Sequence, residues 1–276
     1  MRIVHLSDLH FGAVEPGRPE ALRAAVTAAK PDLVVVSGDL SQTGAEAEMS
    51  EAMAFLRTLP QPQLIVPGNH DMPHGLRLWA RFQRTFAAYQ KVVNQDLQPV
   101  WRTGGVTVAG LNSAVPGGWY LDWDRGRISA RQLIHLRRLF AQEPPDTLRV
   151  LVVHHPPAAP PGGTRRHLVD NRTALFGALN DVGIDLVLSG HFHISYAVTV
   201  PLPGVSPRSC VLSVTATATS HRLSQEPNGF HLIDCHDGLL DIRAWTWTNQ
   251  QYVPATAWRF RHDKQRDWKP VAGGPA

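Results

Sequence analysis

Residues 1–10 read Met-Arg-Ile-Val-His-Leu-Ser-Asp-Leu-His, a short apolar run, Ile3–Leu6, that breaks at once into Ser7-Asp8-Leu9-His10. The same phrase returns along the chain. Leu33–Val36 runs into Ser37-Gly38-Asp39, and Leu64–Val66 into Pro67-Gly68-Asn69-His70-Asp71. Val150–Val153 runs into His154-His155-Pro156-Pro157, and Leu186–Leu188 into Ser189-Gly190-His191-Phe192-His193. Brief Val/Ile/Leu runs bounded by Gly and Pro are the pattern of buried strands. Val106–Leu111 adds a sixth run.

Between the runs lie stretches of helical character: Glu20–Ala29, Ala45–Leu59, Leu76–Val92, Ser129–Ala141 and Arg172–Asp181. Buried strands alternating with helices imply an α/β architecture around a largely central sheet. The last third changes character. Cys210–Thr217, Phe230–Asp234, Leu239–Thr248 and Ala255–Arg261 read as strands, with turns such as Asp237-Gly238 between them. They suggest a second sheet packed face to face on the first. Pro156–Gly163 and Pro201–Pro207 read as loops.

The chain has 276 residues, which suits one large domain, expected over 1–262. The polar stretch after His262, ending Val-Ala-Gly-Gly-Pro-Ala, is expected to be a flexible tail over 263–276. An apolar fraction of 43% is enough for a sizeable core. No run reaches the ~18 apolar residues of a membrane helix, and the first residues lack the pattern of a secretion signal. The expectation is a cytoplasmic protein with no membrane partner. The formal charge of +4, with 27 Lys and Arg against 23 Asp and Glu, is too small and dispersed for a nucleic-acid surface. Cys210 and Cys235, two in all, read as buried thiols.

Loops at the carboxyl ends of strands in an α/β sheet converge on one crevice. Five polar clusters there gather Asp, His and Asn side chains without a thiolate. Such a donor set suits Mn, Fe, Zn or Co. It is too large for one ion and sufficient for two. Asp8-x-His10 and His191-x-His193 put alternate residues on one side of an extended segment. Gly38, Gly68 and Gly190 let the backbone turn tightly beside the ions. His154 and His155 are adjacent and both fit this role.

The series Asp8-x-His10, Gly38-Asp39, Gly68-Asn69-His70-Asp71, His154 and Gly190-His191-x-His193 resembles the calcineurin-like metallophosphoesterase superfamily over roughly residues 1–196. Within it, the His-His-Pro-Pro and Gly-Asn-His-Asp elements resemble the class III cyclic nucleotide phosphodiesterases and their glycerophosphodiesterase-like relatives. The resemblance implies a four-layer α/β/β/α sandwich of two mixed sheets flanked by helices, and relatives that are often dimers. It implies one divalent ion on Asp8, His10, Asp39 and His193. A second would sit on Asp39, Asn69, His154 and His191, with Asp39 shared. His154 is chosen over His155 because it precedes the first proline by two, and His155 should then face the other side of the strand. Asn69, His70 and His193 are the expected substrate contacts.

The chemistry this implies is hydrolysis of a small phosphodiester, such as a 3′,5′-cyclic nucleotide, by in-line attack of a hydroxide held between two ions. His70 would stabilise charge or protonate the leaving oxygen, and Asp71 would orient His70 or cap a helix. A phosphomonoesterase or a nucleotide or lipid-linked pyrophosphatase of the same superfamily is the alternative. A non-catalytic scaffold ranks below both, because no ligand position is missing.

Other residues carry weaker signals. Asn112-Ser113 reads as a turn, His221 as a surface residue and His5 as packed core. His167 with Arg165-Arg166 is a candidate phosphate contact on a loop. Trp79, Phe82, Phe86 and Tyr89 have the spacing of a buried helix face. Trp119, Tyr120 and Trp123 are candidates for contact with substrate or a second copy.

Overall fold

A computed structural model describes residues 1–73, 82–116, 124–160, 162–163, 167–204, 208–223 and 226–271. Strands β1 (Arg2–Leu6), β2 (Leu33–Val36) and β3 (Gln63–Ile65) alternate with α1 (Arg18–Ala29) and α2 (Glu46–Leu56). Then come α3 (Ala87–Val92), β4 (Val100–Thr103), β5 (Val106–Leu111), α4 (Ala130–Phe140), β6 (Leu148–Val153), α5 (Arg172–Val182) and β7 (Leu186–Ser189). The remaining strands are β8 (Tyr196–Leu202), β9 (Arg208–Val214), β10 (Gly229–His236), β11 (Leu239–Thr248), β12 (Gln251–His262) and β13 (Trp268–Pro270).

Two sheets result, in the orders β13-β12-β11-β10-β1-β2-β3 and β4-β5-β6-β7-β9-β8. Each is mixed: β1-β2-β3 and β5-β6-β7-β9 are parallel, and the outer strands antiparallel. The sheets face each other through Ile3, Val35, Val150, Leu188, Ile233 and Phe260. Alternate residues point the other way. Val4, Leu6 and Val34 pack under Leu22 and Val26 of α1 and Met49 and Leu56 of α2. Leu151, Val187 and Leu212 pack under Leu133 and Phe140 of α4 and Leu175 and Leu179 of α5. The expected α/β/β/α sandwich is therefore present.

Local chemistry explains the boundaries. A proline lies in the first turn of α1, where its missing N–H costs nothing. Ser129 and Gln132 form a reciprocal capping box on α4, and Gly183 closes α5 in the left-handed region. Asp237 and Gly238, both at positive φ, make the tight β10–β11 hairpin.

Three expectations are corrected. The sheet boundary falls between β3 and β4, not before the terminal strands: β10 to β13 extend the sheet of β1, and β8 and β9 that of β7. An apolar run records that a strand is buried, not which strand lies beside it. Secondly, the chain after His262 is not a loose tail as far as Val271. β13 pairs with β12, and Trp268 is buried with its Nε1 donating to Asp185 at 3.0 Å. Thirdly, Pro201 lies within β8, an edge strand where a missing N–H is tolerated. In the expected Leu76–Val92 helix, the described residues are helical at 82–83 and in α3. There Tyr89 is buried while Phe82 is 52% exposed. Trp79, Trp119, Tyr120, Trp123, Arg165 and Arg166 lie outside the described residues. Cys210 and Cys235 are free and buried, and no helix among the described residues is long and apolar enough to cross a membrane.

Candidate metal centre

The five polar clusters meet at the carboxyl ends of β1, β2, β3, β6 and β7, so both sheets contribute. Asp8, His10, Asp39, His191 and His193 all sit at positive φ, between 47° and 73°. Non-glycine residues rarely adopt this conformation, and it gathers where function demands a sharp turn. Each run leaves its strand and reverses within a residue or two, which aims the side chains back across the strand ends.

Hydrogen bonds orient both carboxylates in the same way. Asp8 accepts the backbone N–H of His191 on Oδ2 at 3.0 Å and turns Oδ1 towards His193 Nε2 at 3.1 Å and His10 Nε2 at 3.7 Å. Asp39 accepts the N–H of His70 on Oδ1 at 2.8 Å and turns Oδ2 towards His154 Nε2 at 3.4 Å and His10 Nε2 at 3.7 Å. One oxygen of each is anchored and the other presented. The histidines are fixed from behind. His154 donates Nδ1–H to the Ser37 carbonyl at 2.8 Å and His193 donates its own to that of Arg222 at 2.6 Å, so Nε2 is the free atom of each. His154 Nε2 also lies 3.0 Å from Asn69 Oδ1.

Three groups have ligand atoms within 4.8 Å of one another: Asp8, His10 and His193; Asp8, Asp39 and His154; and His154, His155 and His191. The Nε2 atoms of His10 and His193 are 3.2 Å apart beside two buried carboxylates. Neither carboxylate has a Lys or Arg ion pair among the described residues. Buried lone pairs and carboxylates that converge in this way need cations between them. The chemistry of this donor set fits divalent cations.

Without metal, the charges respond to one another. Burial opposes ionisation of Asp8 and Asp39, yet His193 and His154 hold Asp8 below the usual carboxylate range, and His154 and His70 do so for Asp39. Burial likewise opposes charge on His154, but Asp39 outweighs it and pushes His154 up to about 9. His193 is raised against burial by Asp8. Burial pushes His10 down to about 3, and burial with His154 does the same to His191.

His154 therefore faces the shared carboxylate. His155 does not point to the opposite side of the strand, which corrects that expectation. Its ring packs against those of His154 and His191, with centroids 4.9 Å and 4.5 Å away. It is held there because Ser113 Oγ bonds its Nδ1 at 2.8 Å. Asp71 is also corrected as the orienter of His70. Its oxygens accept the Gly68 N–H at 2.9 Å and the Ser41 N–H and hydroxyl, both at 2.9 Å, which ties two strand-end loops together. The His70 ring is anchored instead by the Gln42 carbonyl, at 2.8 Å from Nδ1. Asn112 makes the expected turn, accepting from the Ala114 N–H. His5 is buried as expected, with a polar bond to Ser37, and His221 is exposed.

A polar cavity of about 480 Å³ opens over this centre, its wall including Asp39, Asn69, His70, His191, His193 and Arg222. His167 and Asp124 also reach it. A larger apolar groove of about 620 Å³ lies between β8 and β12, lined by residues such as Val198, Val200, Trp258 and Phe260 rather than by the metal-ligand donors. Sequence reasoning missed Arg222, Gln42 and Ser37. All three act through backbone carbonyls, which leave no trace in residue identity, and the Arg222 side chain, a single Arg beside His221, belongs to no motif.

The family model described as calcineurin-like phosphoesterase matches residues 1–195. A probable cyclic nucleotide phosphodiesterase of Synechococcus is 27% identical over 208 residues, 71% of this chain and 74% of that protein. A 3′,5′-cyclic-nucleotide phosphodiesterase of Nostoc is 25% identical over 90% of each chain. A probable glycerophosphodiester phosphodiesterase of Arcobacter nitrofigilis is 30% identical over 126 residues, and the match spans 42% of its length. Among solved structures, a dimetal phosphatase of Danio rerio superposes with a TM-score of 0.66 over 92% of this chain and 98% of its own, at 14% identity. The yellow lupin purple acid phosphatase gives 0.72 at 12% identity, with 96% of this chain spanning 54% of that one. The matched residues, 1–195, hold every one of these strand-end donors, and the chain belongs to the calcineurin-like phosphoesterase family.

Proposed function

We infer that the protein is a dinuclear-metal phosphodiesterase acting on small phosphodiesters, foremost a 3′,5′-cyclic nucleotide such as cAMP. The observation that carries this is the convergence of Asp8, His10, His193, Asn69, His154 and His191 around Asp39 beneath a cavity sized for a small ligand. The Synechococcus and Nostoc relatives, by their names, support the substrate class.

Two divalent cations, once bound, would supply Lewis acidity and a water of lowered pKa. Asp8, His10, Asp39 and His193 would hold one, and Asp39, Asn69, His154 and His191 the other. The buried strand ends fix these side chains before any ion arrives, so little reorganisation is needed. His70 stands edge-on to His10, ring centroids 4.9 Å apart, with Nδ1 held by Gln42. Its Nε2 faces the cavity, where Arg222 Nη1 lies 2.8 Å away, and once released it would stabilise charge on the departing ester oxygen or, when protonated, donate to it. Asn69 and His193 line the same wall and contact the phosphoryl group.

The test is a panel of esters on Mn-loaded protein: 3′,5′- and 2′,3′-cyclic nucleotides, a glycerophosphodiester, and a chromogenic bis-ester and mono-ester. Preference for the mono-ester overturns the diesterase assignment, and no turnover with any of several divalent ions favours a binding scaffold. His70→Ala is expected to cut kcat by roughly 10²–10⁴-fold with metal content intact. Loss of metal from that variant would reassign His70 as structural.

A further inference from the structure

Arg222 lies in the loop between β9 and β10, and its two ends do different things. Its backbone carbonyl holds the ligand His193, and its amide donates to Ser220 Oγ at 3.0 Å. The guanidinium turns into the cavity, where Nη1 lies 2.8 Å from His70 Nε2 and 3.4 Å from Gln42 Oε1. Neither partner is a carboxylate. Several arginines of the described residues are spent on acids, as in Arg2–Asp234, Arg137–Asp181 and Arg259–Asp241, and Arg149 and Arg208 on backbone carbonyls away from this cavity. Arg222 makes no such ion pair among the described residues. A half-buried guanidinium facing neutral acceptors in a polar cavity is an anion-binding group.

The bond to His70 sharpens this. Arginine does not give up its proton, so Nε2 of His70 accepts and Nδ1–H is the side donated to Gln42. Held so, the imidazole has no proton to offer on the cavity side. A charged phosphoryl oxygen is a stronger acceptor than a neutral ring nitrogen. An entering ester draws the guanidinium onto itself and releases Nε2.

Resting on the phosphoesterase reading above, we propose that Arg222 grips a non-bridging phosphoryl oxygen of the substrate, and that its charge lets the site accept a doubly charged phosphomonoester beside a singly charged diester. Attraction to a fixed charge scales with the charge of the ligand. Removing Arg222 costs a dianion about twice the free energy it costs a monoanion. In fold-changes, the loss for a mono-ester is the square of that for a diester.

The experiment compares wild type with Arg222→Gln and Arg222→Lys. It measures bound metal, affinity of the metal-loaded protein for inorganic phosphate by calorimetry, and kcat/KM for a chromogenic bis-ester and mono-ester. Arg222→Gln is expected to keep its metals and bind phosphate at least tenfold more weakly, with kcat/KM down roughly tenfold on the diester and roughly a hundredfold on the mono-ester. Arg222→Lys recovers part of each loss, because the charge returns without the fork. Unchanged phosphate affinity in Arg222→Gln overturns the proposal. So does loss of metal, which would make Arg222 a prop for His193, or a lysine variant no better than glutamine. Equal falls on the two esters overturn the claim about selectivity. If wild type turns over neither ester, the phosphoesterase reading fails, while the phosphate titration still decides whether Arg222 binds the anion.

Discussion

At neutral pH His154 carries a proton in the metal-free protein and is largely neutral in an unfolded chain. Its folded pKa, about 9, stands above the ordinary imidazole value because Asp39 outweighs burial. A pKa raised on folding stabilises the native state fully below the unfolded value of about 6.5, and that contribution is lost as pH rises through about 9. His193 acts in the same sense. His10, His191 and His231, pushed down by burial, act only below pH 6.5. Chelator-treated protein is therefore expected to lose thermal stability between pH 6.5 and 9.5. The stabilisation that metal adds grows over the same window, because binding must displace the His154 proton, so the metal-loaded midpoint is expected to stay nearly level there. Thermal unfolding in both states checks this, and a metal-free midpoint that climbs across the window contradicts a protonated His154. Much of the centre at this scale was legible in the sequence. Asp, Asn and His on strand-end loops have no packing rationale, so their identities give them away. His154 against His155 needed the Ser37 carbonyl and the Ser113 hydroxyl to separate them, and Arg222 needed the folded β9–β10 loop.

At the scale of elements, a strand end works only if its glycine lets a neighbour in. Gly38 adopts φ +101°, which strains any other residue. Gly68 has no such torsion, and its reason is proximity: a Cβ there would stand 2.1 Å from Asp39 Oδ1 and 2.4 Å from the Asp39 amide nitrogen. The sequence reading assigned both glycines to tight turns, and for Gly68 the close approach of β2's loop to β3's loop is the cause. Gly68→Ala is expected to displace the carboxylate shared by the two ions. Bound metal, counted by elemental analysis, should fall below two per chain, with a stability loss of about 1–3 kcal/mol from overpacking. Two metals retained at wild-type affinity would mean that the loop yields without moving Asp39. Element existence was readable from apolar runs and helical spacing, and β2, β5 and β11 begin and end where those runs do. β4 and β13 were not, since edge strands of three or four residues carry few apolar residues, and in β8 the proline at 201 reads as a loop.

In the whole molecule, two sheets are held together by an apolar interior and by polar clamps at two places. One is the metal centre, with Asp8, His10, Asp39 and Asn69 on loops of the first sheet and His154, His191 and His193 on loops of the second. The other is β13, where Trp268 of the first sheet donates to Asp185 beside β7, while Arg266 pairs with the same carboxylate. The clamps share no residue. Removing the ions by chelation costs the linkage energy, about 4 kcal/mol for each ion at a thousandfold excess of metal over its Kd. Trp268→Ala costs about 3–5 kcal/mol through the cavity it leaves. Independent clamps require these losses to add to within about 0.5 kcal/mol when chelation is performed on the variant. Denaturant unfolding of the four states, with and without Trp268 and with and without metal, measures the sum. A combined loss well beyond it would show that each clamp depends on the other to keep the sheets in register. In that case, Trp268→Ala should also weaken metal binding by the same coupling free energy, because linkage is reciprocal.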